Sequence, residues 1–434
     1  MANYKIGVIG LWHLGEIYAA GLASLGHSVA GISEDEKVIA DLNRGIPPLP
    51  EPHLAELIKE SGQAGRLSFT TDVAAVKDCN VVWFTFDTPV NDKDESDLAP
   101  IRGMLKKTIP HLANDVLIVL SSQLPVGTSR SIEASIKKAR PSLKFHLVYS
   151  PENLRLGDAV NCFLKPERVV VGAADEEGAK RMEDIFRKTG AQIVKMSPAS
   201  AEMAKHALNS FLATSISFIN DIADACDEAG ADVLDVIKAL RSDPRIGERA
   251  ALNAGLGFSG GTLGRDLISL SRFAKAHGAK LPVIEHVFAK NASRPEMLVA
   301  RLSRALGGLK GKRIALYGLT YKPGTTTLRR SRSLEVAALL TKKGALLSLS
   351  DPHVPLEDIP RIKGATAIQD PVMAAKGAQA LVFLTPWPDF KDLDFAALAK
   401  QARTRAVLLD SANFLAPKEP LIKQSGFRYY GIGR

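Results

Sequence analysis

Short apolar runs punctuate the first half of the chain: KIGVIG, HSVAGIS, VVWFTF, VLIVLSS, FHLVYS and RVVVGA. Stretches with helical spacing, such as IYAAGLASLG, lie between them. Runs of this length, rich in β-branched residues, read as buried strands, and strands alternating with helices build a parallel sheet covered on both faces. The alternation therefore predicts an α/β fold. It also directs the search for chemistry, because ligands of such sheets bind beyond the carboxyl ends of the strands.

The loop after the first run is GLWHLGE, residues 10–16. Gly10 and Gly15 hold the first and third glycine positions of a G-x-G-x-x-G dinucleotide turn, and Trp12 holds the second. A side chain is normally absent there so that the backbone can approach a pyrophosphate. Gly10, Trp12, His13, Leu14 and Gly15 are thus candidate cofactor contacts around an obstruction. A Trp12 ring in the cleft occupies phosphate space, a ring turned outward leaves room, and a ring packed over the sheet edge leaves an empty site. After the second run an acid normally bonds the adenine ribose, and Ser33 stands there, followed by Glu34 and Asp35. A serine still offers a hydroxyl, while the adjacent acids disfavour the 2′-phosphate of NADP.

The pattern changes near residue 198. ASAEMAKHALNSFLATSISFINDIADACDEAG repeats apolar residues at helical spacing without proline or internal glycine, and predicts one long helix. A second α/β region opens at LKGKRIALYGLTYK and continues through ALLSLSD, ALVFLT, AVLLD and YYGIG. The plan is two Rossmann-like domains with parallel sheets, 1–197 and 307–434, joined by a helical central region, 198–306. The 434 residues suffice for such domains. A net charge of +9 suits an anionic ligand such as a diphosphate, and no nucleic-acid motif accompanies it. Cys79, Cys162 and Cys226 are spaced too widely for a zinc site, so no metal is expected, and they fit a reducing cytoplasm. MANYKIGVIG enters a strand directly, leaving no room for a signal peptide, and no apolar run reaches the ~18 residues of a membrane span.

An ordered set of phrases resembles the UDP-glucose/GDP-mannose dehydrogenase family: NRGIPPLPEPHLAELI, FTTD with a following DTP, SSQLPVGT, SPENLRLG, PERVVVG, AEMAKHALNSFLATSISFINDIADACDEAGADV, DPRIG, LKGKRIALYGLTYKPGT, SDPHV, LTPWPDF and GFRYYGIGR. They span nearly the whole chain. The resemblance implies NAD in the first domain, a nucleotide sugar (UDP-linked) in the last, and a homodimer built on the long helix. The family reaction oxidises a sugar alcohol to a carboxylate for polysaccharide precursors, in two hydride transfers with a cysteine trapping the aldehyde. Carried over by position, it implies catalytic roles for Glu152, Lys205, Asn209 and Asp266. Lys205 and Asn209 are four apart and share a helix face. It implies cofactor-side roles for Thr88, Pro89, Ser122 and Arg329, with Ser121 beside them, and substrate contacts at Leu154, Arg245, Phe258, Gly260, Gly261 and Lys322. Each residue also has a plainer reading: Lys205 as a solvated lysine, Asn209 as a surface amide, Glu152 as a loop carboxylate.

The departures cluster. Where the family loop carries its nucleophilic cysteine, GFSGGTLGRD carries Thr262, with Arg265 in place of lysine. An unactivated alcohol supplies essentially no alkoxide near neutrality, so Thr262 is a poor aldehyde trap. Gln123 replaces a family threonine and Ala412 a family arginine. Two readings stand. One is an NAD-dependent nucleotide-sugar oxidoreductase working without the thioester. The other is a nucleotide-sugar-binding protein that has lost redox chemistry, its NAD binding weakened or lost through Trp12 and Ser33. Transient oxidation, as in epimerisation, has no positive sequence support.

Overall fold

The computed structural model describes residues 3–88, 97–152 and 154–434. The chain forms two compact units, Met1–Ala207 and Leu208–Arg434. In the first, the apolar runs become β1 (Lys5–Ile9), β2 (Ser28–Ile32), β3 (Leu67–Thr70), β4 (Val81–Phe84), β5 (Val116–Leu120), β6 (Phe145–Tyr149), β7 (Arg168–Ala173) and β8 (Gln192–Met196). They form one sheet in the order β3-β2-β1-β4-β5-β6-β7-β8. Every residue of β4 and β5 is buried, as strands covered on both faces require.

One junction departs from the parallel expectation: β6 and β7 pair antiparallel. The connection between them carries only a 6-residue helix, Ala159–Leu164, and β7 starts from the end at which β6 stops. A parallel neighbour needs a crossover that carries the chain back to the other end of the sheet, and this connection does not make one. The strand order reverses between β1 and β4, which puts the crevice for a dinucleotide outside their carboxyl ends. The turn at 10–16 follows β1 and Thr85–Thr88 follows β4, so both sit at that switch point.

The second unit holds β9 (Arg313–Tyr317), β10 (Leu346–Ser350), β11 (Ala365–Ala367), β12 (Ala380–Phe383), β13 (Val407–Asp410) and β14 (Arg428–Tyr430) in the order β11-β10-β9-β12-β13-β14, every pair parallel. Tyr317 and Phe383 stack at 4.6 Å in its core. Helices Thr262–Ala276 and Pro282–Leu306 belong to the same unit. The predicted long helix is continuous over 32 residues, Pro198–Ala229; its first turns belong to the first unit and the rest to the second. No helix among the described residues is long and apolar enough to cross a membrane.

Candidate functional site

The turn after β1 is built for close approach. Gly10 has φ +98°, and a Cβ on Gly15 would stand 1.9 Å from the Gly10 carbonyl oxygen and 2.8 Å from Thr85 Oγ1. Only glycine fits at 15, so the helix His13–Ser24 can press against β1. Thr85 Oγ1 lies on the Gly10 carbonyl at 2.9 Å and fixes the turn from β4. Trp12 is the N-cap in ordinary extended backbone, φ −114°, with no side-chain cap on the helix amides. Those uncapped amides and the helix dipole suit a pyrophosphate. Trp12 is 48% exposed, so it is not sealed over the sheet edge.

Around the turn, Ser33 is half-buried and its Oγ accepts from the Asp35 amide at 3.3 Å. Thr88 is buried and donates to the Gln123 carbonyl at 2.8 Å. Pro89 lies outside the described residues. Ser121 is a structural pin, accepting from Trp83 Nε1 at 2.8 Å and donating to the Ser150 carbonyl at 2.6 Å. Ser122, just past β5, is 1% exposed and its hydroxyl has no hydrogen-bond partner among the described residues. A glycine cradle, an uncapped helix start and an orphaned hydroxyl past a strand end together fit a dinucleotide. NAD, when bound, accepts hydride.

Glu152 follows β6, its side chain 25% exposed. Lys205, 8% exposed, donates to the Glu152 backbone carbonyl at 2.6 Å and to its Oε1 at 3.2 Å; the Leu154 amide donates to Oε2 at 2.9 Å. A lysine held this way keeps a charged donor on a carboxylate that also faces solvent, an arrangement that can polarise an oxygen or pass a proton. The start of the long helix is anchored by residues the sequence reading did not select. Glu202 accepts from the Gly127 amide at 2.6 Å and from the Ser129 amide and hydroxyl at 2.7 Å each, and His206 Nε2 meets the Leu124 carbonyl at 3.0 Å. The usable signal was the polar spacing Glu202, Lys205, His206 on a helix otherwise rich in apolar residues.

Glu51 was also missed. Its side chain is fully buried, and Oε1 lies 2.8 Å from His13 Nε2 and 2.8 Å from the Gly157 amide, while Oε2 takes the Ala159 amide at 3.3 Å. Glu16, one turn into the same helix as His13, is 0% exposed. Among the described residues, neither of its oxygens meets a partner at full hydrogen-bonding geometry. Burial pushes its carboxyl up to about 8; the Leu49 amide lowers it and the Glu51 carboxylate raises it.

In the second unit the amide of Asn209, one helical turn beyond Lys205, donates to the carboxylate of Asp266, which is 0% exposed. A buried carboxylate is tolerated when hydrogen-bonded, and Asn209 supplies one donor. The loop before Asp266 is stiff. Phe258 is buried and clamped by Asn291, which accepts from its amide at 2.8 Å and donates to its carbonyl at 3.0 Å. Gly260 has φ +78°, and a Cβ there would stand 2.9 Å from the Tyr321 ring. Gly261 and Thr262 are exposed, and Thr262 opens the helix Thr262–Ala276.

The remaining candidates lie at the surface. Leu154 and Lys322 are half-buried, the latter 5.7 Å from the Tyr321 ring centre, and Arg329 is exposed. Arg245 is exposed and, among the described residues, pairs locally with Asp243 at 2.6 Å. The cysteines carry no disulfide. Cys79 is buried, its thiol pushed up to about 11 mainly by burial, and Cys226 is buried far down the long helix. Cys162 is partly exposed with Sγ 3.6 Å from Asp158.

Residues 4–190 match the NAD binding domain of the UDP-glucose/GDP-mannose dehydrogenase family, 199–293 its central domain and 315–417 its UDP binding domain. A UDP-glucose 6-dehydrogenase of Rhizobium meliloti is 34% identical over 438 residues, covering 99% of each chain. The solved UDP-glucose dehydrogenase of Pyrobaculum islandicum superposes with a TM-score of 0.87 at 30% identity, over 100% of this chain and 98% of its own. A UDP-D-ManNAc dehydrogenase of Pyrococcus horikoshii gives 0.86 at 25% identity, over 99% of each. The sheet order, the dinucleotide turn and these matches agree: the chain belongs to the UDP-glucose/GDP-mannose dehydrogenase family, with NAD as its cofactor.

Proposed function

We propose that this protein oxidises a UDP-linked sugar with NAD and does so without a covalent enzyme intermediate. The observation that carries the reading is the buried Lys205 held on Glu152 in a chain whose nucleophile position is Thr262. In this reading the sugar carbon gives a hydride to NAD and its hydroxyl gives a proton to a base, leaving a carbonyl, NADH and a released proton. Lys205 and Asn209 hold the reacting oxygen, Asp266 orients Asn209, and Glu152 handles the proton. With Thr262 exposed and unactivated, the product leaves as the carbonyl compound or its hydrate. Leu154, Phe258, Gly260, Gly261 and Lys322 contact the substrate, and Arg329 lies on the cofactor side.

We place the protein in the cytoplasm, as its unpaired cysteines support, and as a homodimer through the long helix. Phe211 is 69% exposed and Phe218 46%, which supports a covering partner. Arg245, exposed and paired with Asp243 of its own turn, would then serve the partner's site. Incubation with NAD and a panel of nucleotide sugars tests the function. One NADH per sugar is the expected result, two would restore the four-electron reaction, and none together with intact sugar-nucleotide binding would favour a non-redox binding protein.

A further inference from the structure

We propose that Glu51 is a positioning residue that ties the dinucleotide turn to the segment carrying Glu152, acting through His13 on one side and the Gly157 and Ala159 amides on the other. The inference deepens the oxidoreductase reading and rests on it. Three donors converge on one carboxylate whose side chain is 0% exposed: His13 Nε2 and the Gly157 amide at 2.8 Å on Oε1, and the Ala159 amide at 3.3 Å on Oε2. A carboxylate only accepts, so the ring nitrogen carries the proton. His13 is the first residue of the helix whose uncapped amides suit the cofactor's pyrophosphate, and residues 157–159 lead from Glu152 into the next helix. Glu51 itself lies 38 residues from His13 and 106 from Gly157, so local chain geometry does not bring these groups together.

A second tie runs between the same two segments. Tyr18, on the helix that starts at His13, packs against Phe163 at 4.9 Å. Its hydroxyl is raised chiefly by burial and then by the Glu152 charge. A buried carboxylate that satisfies donors from two segments fixes their register, and losing one partner strands the others. Cofactor seated on the turn therefore steadies the Glu152 segment through His13 and Glu51.

Hydrogen exchange read by mass spectrometry tests this without relying on turnover. In the unmodified protein NAD should slow exchange both at 10–16 and at 154–164. His13→Phe, which has no ring donor, should keep a response at 10–16 and lose it at 154–164, and His13→Gln, which places an amide donor near the Nε2 position, should restore it. Glu51→Gln, which keeps the volume and one acceptor, should show the same loss as His13→Phe. Retention of the 154–164 response in both His13→Phe and Glu51→Gln would overturn the proposal, as would a response confined to 10–16 in the unmodified protein. Absence of any NAD response there is a separate result: it defeats the NAD-dependent reading and this inference with it.

Discussion

Lys205 grips Glu152 twice, at the backbone carbonyl (2.6 Å) and at Oε1 (3.2 Å). The double hold fixes both ends of the residue that follows β6, so the two side chains act as a unit. Lys205→Ala should lower kcat by about 10²–10³-fold, the usual cost of losing a preorganised oxyanion donor. Glu152→Gln should lower it about 10²-fold or more, the scale of a lost acid–base group. Steady-state NADH formation reads both, and calorimetry with the sugar nucleotide separates lost chemistry from lost binding. Lost sugar affinity with kcat unchanged would make the pair a binding element instead.

Thr262 opens a helix, with no side-chain cap at Gly261. A thiol at such a position is a better nucleophile than an alcohol, because the helix N-terminus favours the thiolate. Thr262→Cys should therefore trap the aldehyde as a thiohemiacetal, pass a second hydride to a second NAD, and release acid after water cleaves the thioester. The expected readout is a change from one NADH per sugar to two, with the carboxylate product seen by mass spectrometry. An unchanged ratio would mean that position 262 does not face the reacting carbon.

The parts of this protein that depend on local pattern were legible in the sequence. β1, β4 and β5 are unbroken apolar runs, and the long helix carries its periodicity without interruption. LSFT and QIVKM, which form β3 and β8, are short and part polar, and give little signal against turn sequence. The reversed β7 depends on where the chain re-enters the sheet, which no window of residues encodes. Trp12 was legible as an obstruction, but its half-exposed ring was not, since direction depends on neighbours. Glu51 was invisible, and the partners of Glu202 were too, for a different reason. A buried carboxylate is defined by donors far away in sequence, and only the fold brings Gly157 to Glu51 or Ser129 to Glu202.

Phe211 and Phe218 lie two turns apart on one stripe of the long helix, 69% and 46% exposed. Exposed phenylalanines in register are costly to leave in water, at roughly 2 kcal/mol for each full side chain that finds cover. Phe211→Asp with Phe218→Asp should shift the protein from dimer to monomer in light scattering across a concentration series. The unmodified protein remaining monomeric at high concentration would dismiss the homodimer.

Of the three tryptophans, Trp83 and Trp387 are buried and only Trp12 meets solvent. NAD seated on the turn should therefore change the emission of Trp12 selectively, and Trp12→Phe should abolish most of that change. Trp12→Gly should tighten NAD binding by about 3–10-fold, since the second glycine position governs how closely the phosphates approach. The helix start should tolerate it, because glycine is a better N-cap than an aromatic residue. Weaker binding in Trp12→Gly would show that the ring contributes a contact to the cofactor.

Glu16 makes folding stability depend on pH. Its carboxyl rises from an ordinary value near 4.5 to about 8 in the folded protein, chiefly through burial, so the folded state keeps a proton that the unfolded chain has released. Stability therefore falls as pH rises through the window between those values and levels off above about 8. Glu16→Gln matches the protonated carboxyl in shape and does not titrate. It should have nearly the same melting temperature as the unmodified protein near pH 4.5 and a growing advantage toward pH 8.5, on the order of 5 kcal/mol at the top of the range. Melting scans of both proteins across that range measure the difference directly. A constant offset, independent of pH, would mean that Glu16 finds a compensating donor when it ionises.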